Sequence, residues 1–257
     1  MTATNAIEAA PAAMIGEFHE RPVTPALSHV FACVWTHQMP QSGAPPVIVA
    51  PDGTIDLQWI DGALRIAGPD REPKTEIIPA GTTIVGLRFH PGAASAWLGL
   101  PVAEITGERV SLADLWGAKG RKLSRDVRDA ADIERALLQH HAEPRPIDPA
   151  MRAAFTLIAQ GPPPGVALIA WLGRALHMSE RSLRRRFDEN FGYGPKTLDR
   201  ILRYQRFLRL RHLLPAASTA LLAVDAGYAD QAHLVRESRR LTGHTPLALA
   251  RLSKIGQ

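Results

Sequence analysis

Two seventeen-residue stretches of this chain, SERSLRRRFDENFGYGP at 179–195 and DQAHLVRESRRLTGHTP at 230–246, align position for position at an offset of 51. Asp230 falls on Ser179, Leu234 on Leu183, Arg236 on Arg185, Gly243 on Gly192 and Pro246 on Pro195. Each copy opens on a residue type that caps a helix N-terminus and reaches a glycine of the kind that ends a helix. In the first copy Leu183 and Phe187 stand four apart, the spacing of a single helix face. Arg181, Arg184 and Arg185 then point away from that face. A short apolar helix precedes each copy, VALIAWLGRAL before the first and TALLAVDAGYA before the second. Helix, tight turn and capped helix make a helix-turn-helix, whose second helix is shaped to enter a major groove. Two such units at one spacing confine the C-terminal third to an all-helical tandem.

Between the units runs PKTLDRILRYQRFLRLRHLL, residues 195–214. Leu198, Ile201, Leu202, Leu208 and Leu210 form an apolar stripe, and Arg200, Arg203, Arg206 and Arg209 fall largely off it. Twenty helical residues span about 30 Å, close to the ~34 Å of one duplex turn. Such a strut can hold two recognition helices to successive major grooves. Its arginines, with Ser179, Arg186, Arg239 and Arg240, are candidates for phosphate contacts that position without reading sequence. Charge agrees with this. Residues 1–166 hold 14 Lys and Arg against 18 Asp and Glu, whereas residues 167–257 hold 16 against 7, and 14 of those 16 are arginines. A solvated charged face would account for the charge alone, but not for its placement on a repeated, capped helix.

The upstream region reads as strands and turns from about residue 22 to 117. Asp61-Gly62 separates TIDLQWI from ALRIAG, a hairpin signal with Ile55, Leu57 and Trp59 alternating before it and Leu64 and Ile66 after it. TTIVGLRF continues the strand period through Thr83, Val85, Leu87 and Phe89, and AASAWLGLPVAEI reads as a helix entered through Pro91. Residues 1–21 read as a flexible lead-in. Residues 118–160 read as a linker of two helices, LSRDVRDAADIERALLQHH and PAMRAAFTLIAQ, broken at the prolines of AEPRPIDP; GPPPG at 161–165 then marks the next boundary. The expected fold class is α+β: a β-rich N-terminal domain with helical additions, a helical linker, and an all-α module over 161–257.

The tandem resembles the DNA-binding module of the AraC/XylS family of transcriptional regulators. The resemblance rests on S-x-x-x-L-x-R-x-F at 179–187 and on AGYADQAHLVRE…LTGHTP at 226–246. It implies base reading by Arg181, Arg184 and Arg185 in the first unit and by Gln231, Ala232, Val235 and Arg236 in the second. It also implies a β-rich sensing or dimerising domain over 22–117, of a poorly defined type often found ahead of such modules. The partners implied are double-stranded DNA, a small-molecule effector, a second copy of the chain, and RNA polymerase. Two positions depart from the family pattern. His177 stands where the first turn often has glycine, and Ser238 stands where the second unit usually has a core phenylalanine, which would leave its helix more loosely packed.

Other chemistry finds less support. Cys33, His37 and His90 invite a metal reading, but i and i+4 do not share a face on a strand, and no paired Cys or His motif accompanies them. Trp35, Trp59 and Arg88 are candidates for an effector pocket, with core packing the simpler role for the tryptophans. Asp52 and Asp56 fit turn and strand positions better than a catalytic pair. The expectation is a regulator with no cofactor, no metal and no catalysis. The rivals are an enzyme, or an architectural binder indifferent to ligand, brought to DNA by the same module. A single cysteine allows no internal disulfide, no run of apolar residues approaches the ~18 of a membrane span, and residues 1–18 lack the basic start of a signal peptide; a cytoplasmic location is expected.

Overall fold

The strand TIVGLRF decides the layering of the N-terminal half, because its side chains alternate between two different apolar environments. Val85, Leu87 and Phe89 enter one cluster of buried residues, while Ile84 joins another. The sheet that contains it is therefore covered on both faces. The computed structural model describes residues 10–43, 45–129, 131–140, 146–163 and 165–255.

The strands are β1 (Ala10–Pro11), β2 (Glu17–Arg21), β3 (Phe31–Gln38), β4 (Val47–Val49), β5 (Asp56–Ile60), β6 (Ala63–Ala67), β7 (Lys74–Glu76), β8 (Thr83–Phe89) and β9 (Arg109–Ser111). Six of them form an antiparallel sheet in the order β2-β3-β8-β5-β6-β9, and β1-β4-β7 form a smaller one. Val47 of β4 packs with Cys33, Trp35 and Ile84, so the small sheet covers one face of the large one. Helices α1 (Ala93–Leu98), α2 (Leu112–Trp116), α3 (Ala118–Asp126) and α4 (Asp132–His140) cover the other. The hairpin turn is as the sequence demands: Asp61 at φ 48° and Gly62 at φ 79° join β5 to β6 with Trp59 opposite Leu64.

The C-terminal core is separate and wholly helical. It gathers α5 (Pro149–Gln160), α6 (Leu168–Ala175), α7 (Glu180–Phe191), α8 (Pro195–Leu213), α9 (Thr219–Asp225) and α10 (Gln231–Thr242), and α11 (Pro246–Ile255) follows. Tyr204 and Phe207 of α8 are fully buried, because α8 has a helix on nearly every side.

Four sequence expectations give way here. Within residues 10–21 of the expected lead-in, β1 pairs with β4 and β2 with β3, joined through a 3-10 turn at Ala12–Met14; residues 1–9 lie outside the described residues. The single helix expected from Leu123 to His141 is two. Val127 is extended, and the Asp129 carboxylate accepts from the backbone N–H of Ala131 and Asp132 at 2.9 and 3.0 Å, a local turn that competes with the helix. Nor are residues 118–160 a separate linker: Leu123, Val127, Ile133 and Leu137 are core of the sheet domain, whereas Met151, Ala154 and Ile158 are core of the helical module. The helix read from 93 to 105 likewise stops at Gly99 (φ 80°) and resumes as a 3-10 turn at Val102–Ile105.

Gly86 lies beneath the indole of its cross-strand partner Trp35, and a Cβ there would stand 2.1 Å from Trp35 Cε2. Gly86→Ala is expected to destabilise the chain by about 1–3 kcal/mol, measured by urea denaturation; a wild-type midpoint would show that Trp35 moves freely.

Candidate nucleic-acid interface

The first unit is held by local chemistry at each joint. Ser179 Oγ accepts from the Ser182 N–H at 3.2 Å, with Glu180 in the first turn, and Gly192 ends α7 in the left-handed region. Leu183, Phe187, Asn190 and Phe191 face inward. In the second unit Asp230 accepts from the His233 N–H at 2.6 Å, Leu234, Ser238, Leu241 and Thr242 face inward, and Gly243 ends α10. The preceding turns also match: Met178 N–H reaches the Gly173 carbonyl and Tyr228 N–H the Ala223 carbonyl, each at 2.9 Å. His177 at φ 53° and Gly227 at φ 94° occupy the same place in these turns. Histidine therefore adopts the conformation that glycine takes in the other unit. The turns align at an offset of one residue less than the helices, so Ala229 is an insertion in the second unit.

Ser238 does not loosen its helix. It is fully buried, with Tyr204 Oη 3.1 Å from its Oγ, and it donates to the His244 carbonyl at 2.8 Å. Tyr204 occupies the space an aromatic at 238 would need, and the hydroxyl pair satisfies the polar atoms left there.

Arg181, Arg184 and Arg185 are exposed on α7. Arg184 meets Glu180 at 2.5 Å and Arg185 meets Glu189 at 2.7 Å, both one helical turn away. On α10 Gln231, Ala232 and Arg236 are exposed and Val235 is half-buried; Arg239 and Arg240 are exposed further along.

Of the strut arginines Arg209 is exposed, and the other three behave differently. Arg206 donates from Nη1 to the Ala226 carbonyl at 2.8 Å and from Nη2 to Ile158 and Ala159 at 3.1 and 2.9 Å. It joins the C-terminal ends of α5 and α9 to α8, and is not available to phosphate. Arg203 pairs with Asp199 at 2.9 Å and lies over the Tyr228 ring, and Arg200 approaches Glu237 at 3.5 Å. Burial pulls the pKa of both Arg200 and Arg206 below the ordinary guanidinium value. Arg186 pairs with Asp148, the N-cap of α5, at 3.2 Å. All four were sequence candidates for phosphate contact, and all four are engaged inside the module. Off-stripe position does not reveal this, because the arginines of α8 meet other helices on the sides the stripe leaves open.

The effector-pocket residues do not converge. Trp35 and Arg88 lie on the small-sheet side of β3 and β8, whereas Trp59 lies opposite Val85 on the helix side. Arg88 bonds Asp56 at 3.2 Å. His37 and His90 each reach a backbone carbonyl, Ile15 and Ser28, and burial pushes the Cys33 thiol up to about 11. No group of three His, Cys, Asp or Glu suited to a metal occurs among the described residues, and no helix among them is long and apolar enough to cross a membrane.

Sequence reasoning missed the grip of the sheet domain on the first unit. The Gly192 carbonyl accepts from Arg71 Nη2 at 2.5 Å and Thr106 Oγ1 at 3.1 Å, and Ser95 Oγ donates to Asn190 Oδ1 at 2.9 Å. Gln205 of α8 donates to the Pro51 carbonyl at 3.0 Å, and Gly53 sits against Leu198 and Leu202. Only the two turn glycines hinted at such close approach.

Arg206→Met keeps the stem and removes the three-carbonyl tie. It is expected to cost about 2–4 kcal/mol, seen as a lowered denaturation midpoint; an unchanged midpoint would return Arg206 to the DNA surface.

Residues 172–251 match a family model described as a helix-turn-helix domain, and residues 19–111 match a domain of unknown function, DUF6597. No curated protein matches. Among solved structures, ToxT of Vibrio cholerae is similar. An apo variant gives a TM-score of 0.47 at 10% identity over 90% of this chain and 99% of that one. A second ToxT structure gives 0.45 at 11% identity over 84% and 95%. With two capped units standing over the matched residues, the C-terminal third of the chain is an AraC-type helix-turn-helix domain of a DNA-binding transcriptional regulator, carried behind a DUF6597 domain.

Proposed function

We propose that the chain binds a defined duplex sequence with α7 and α10 in successive major grooves, and that α7 supplies most of the sequence readout. One observation carries this: where α7 exposes Arg181, Arg184 and Arg185, the aligned positions of α10 hold Ala232, Val235 and Arg236, and its other exposed arginines, Arg239 and Arg240, lie one turn further along. Arginine reads guanine through two parallel hydrogen bonds at about 1–3 kcal/mol of discrimination. The ion pairs of Arg184 and Arg185 with Glu180 and Glu189 do not forbid it, since exposed pairs one turn apart are worth about 0.3–0.5 kcal/mol. Exchange of a carboxylate for a base edge is therefore favourable. The 19 residues of α8 give a strut of about 28 Å, near the spacing of adjacent major grooves on one face.

The N-terminal domain has a direct route to this reader. Arg71 and Thr106 hold the carbonyl that closes α7, while α10 packs chiefly on α8 and α9. A shift of the segment around Arg71 changes the seat of the first recognition helix relative to the second. Modulation by an effector, a cytoplasmic setting and a non-catalytic role fit this arrangement.

Selection of bound sites from random duplexes tests specificity and site length together. With the selected site, Arg185→Ala should relax base preference at one half-site by about 1–3 kcal/mol and Arg236→Ala should cost less. Equal dependence on both half-sites would defeat the unequal reading, and no enriched sequence would leave an architectural binder. Arg71→Ala, far from the exposed face of α7, should change affinity for the same site; unchanged affinity removes the proposed route from the N-terminal domain.

A further inference from the structure

The six-stranded sheet ends on β2, and among the described residues no backbone group other than those of β3 pairs with Glu17–Arg21. All five residues are exposed. Edge strands of soluble proteins are ordinarily blunted by shortness, charged side chains, proline, a bulge or a covering segment, and of these β2 has its five-residue length and the charges of Glu17, Glu20 and Arg21, which here are arranged to complement a second copy. β2 has no proline or lysine within it, and its register against β3 is unbroken. Pro22 ends the strand just beyond Arg21.

The sequence of this edge is complementary to itself. If two copies meet antiparallel about a two-fold axis through His19, Glu17 of each stands directly opposite Arg21 of the other, so two opposite-charge pairs form on one face. On the other face, Phe18 of each copy stands opposite Glu20 and diagonal to the second Phe18, about 7–8 Å away and within reach of an aromatic side chain. Phe18 is 51% exposed and already stacked on Trp35 at 5.8 Å, so pairing would extend two aromatic rings into a row of four and cover the apolar surface. A one-residue slip of register loses both charge pairs and sets Phe18 on the wrong face.

We propose that β2 is a homodimerisation edge, joining the large sheets of two copies of this chain into one continuous sheet. This deepens the expectation of a dimerising N-terminal domain and is independent of how the C-terminal module reads DNA. Five-residue strands bury less than the ~1,200 Å² of a standard interface, so the dimer is reversible and concentration-dependent. Arg21 also bonds Glu134 of α4 at 2.5 Å. That contact orients the guanidinium on the same face as the partner's Glu17 without satisfying all five of its donors.

Sedimentation equilibrium of the full chain without DNA tests this. The wild type should pass from monomer to dimer as concentration rises, and Phe18→Glu, which sets four carboxylates on one face, should weaken the dimer by about tenfold or more. Glu17→Arg and Arg21→Glu should each stay monomeric, yet an equimolar mixture should form heterodimers, since both charge pairs are then restored. Circular dichroism checks each variant's fold; should Arg21→Glu misfold for want of its Glu134 bond, Phe18→Glu decides alone. A wild type monomeric at all concentrations, or a dimer unmoved by Phe18→Glu, overturns the proposal. So does a dimer that forms only once residues 2–9 are removed, because those residues would then be the edge's occupant. Site selection on DNA is read separately, so failure here leaves the proposed function standing.

Discussion

Arg206 is the point through which the helical module is built. Helix C-termini present carbonyls without intrahelical partners and a partial negative charge, and here the ends of α5 and α9 are brought to one guanidinium on α8. The tie dictates sequence elsewhere. Gly161, at φ 91°, would place a Cβ 2.9 Å from Arg206 Nη2, and Gly227, at φ 94°, would place one 3.4 Å from Nη1. The glycine opening GPPPG and the turn glycine of the second unit thus make room for the same side chain. A lysine could supply one donor direction but not the fork that serves two helix ends at once.

That arrangement sorts the arginines of this domain by what surrounds them. Arg186, Arg200 and Arg203 each have a carboxylate from the module itself, and Arg206 has carbonyls. A partly buried guanidinium without such partners would be strongly unfavourable. Arg181, Arg236, Arg239 and Arg240 are exposed, and no ion pair to a described residue holds them. Arg184 and Arg185 are intermediate, with carboxylates of their own helix that keep them extended and solvated. The positive surface left over is narrower than the net charge suggests. It lies along α7 and the outer side of α10, with Arg174 of α6 and Arg209 of α8 also exposed.

Legibility from sequence followed whether the determining interaction was local. The repeat, its caps and the Asp61-Gly62 turn could be read because each depends on residues a few positions apart. β2 could not: Glu17-Phe18-His19-Glu20-Arg21 has no apolar alternation, and only pairing with β3 makes it a strand. The break after Asp126 depends on one carboxylate, Asp129, competing within a stretch whose apolar spacing is otherwise helical. The pairing of Arg200 with Glu237 spans 37 positions, beyond what periodicity can detect. For the base-reading candidates, exposure was implied by the opposed face of Leu183 and Phe187, whereas the phosphate candidates on α8 required knowledge of the packed helices around them.

The sheet domain leaves few places where a signal could act. Both faces of its large sheet are covered, so its interior is committed to packing. What reaches the module are turns and two short helical segments, α1 and Val102–Ile105. Asp52 accepts from the Thr54 N–H at 2.9 Å and lies 3.7 Å from Arg88, whose guanidinium also meets Asp56 at 3.2 Å. Burial raises the pKa of Asp56, and the Arg88 guanidinium opposes the rise. The same turn offers the Pro51 carbonyl to Gln205 and sets Gly53 under Leu198 and Leu202. A change in charge around Arg88 would therefore be felt at α8 through a rigid turn only a few residues long. The contacts on Gly192 act at the end of α7 instead. Two separate footholds, one on the recognition helix and one on the strut, constrain the rotation as well as the position of the first unit, which a single contact could not do.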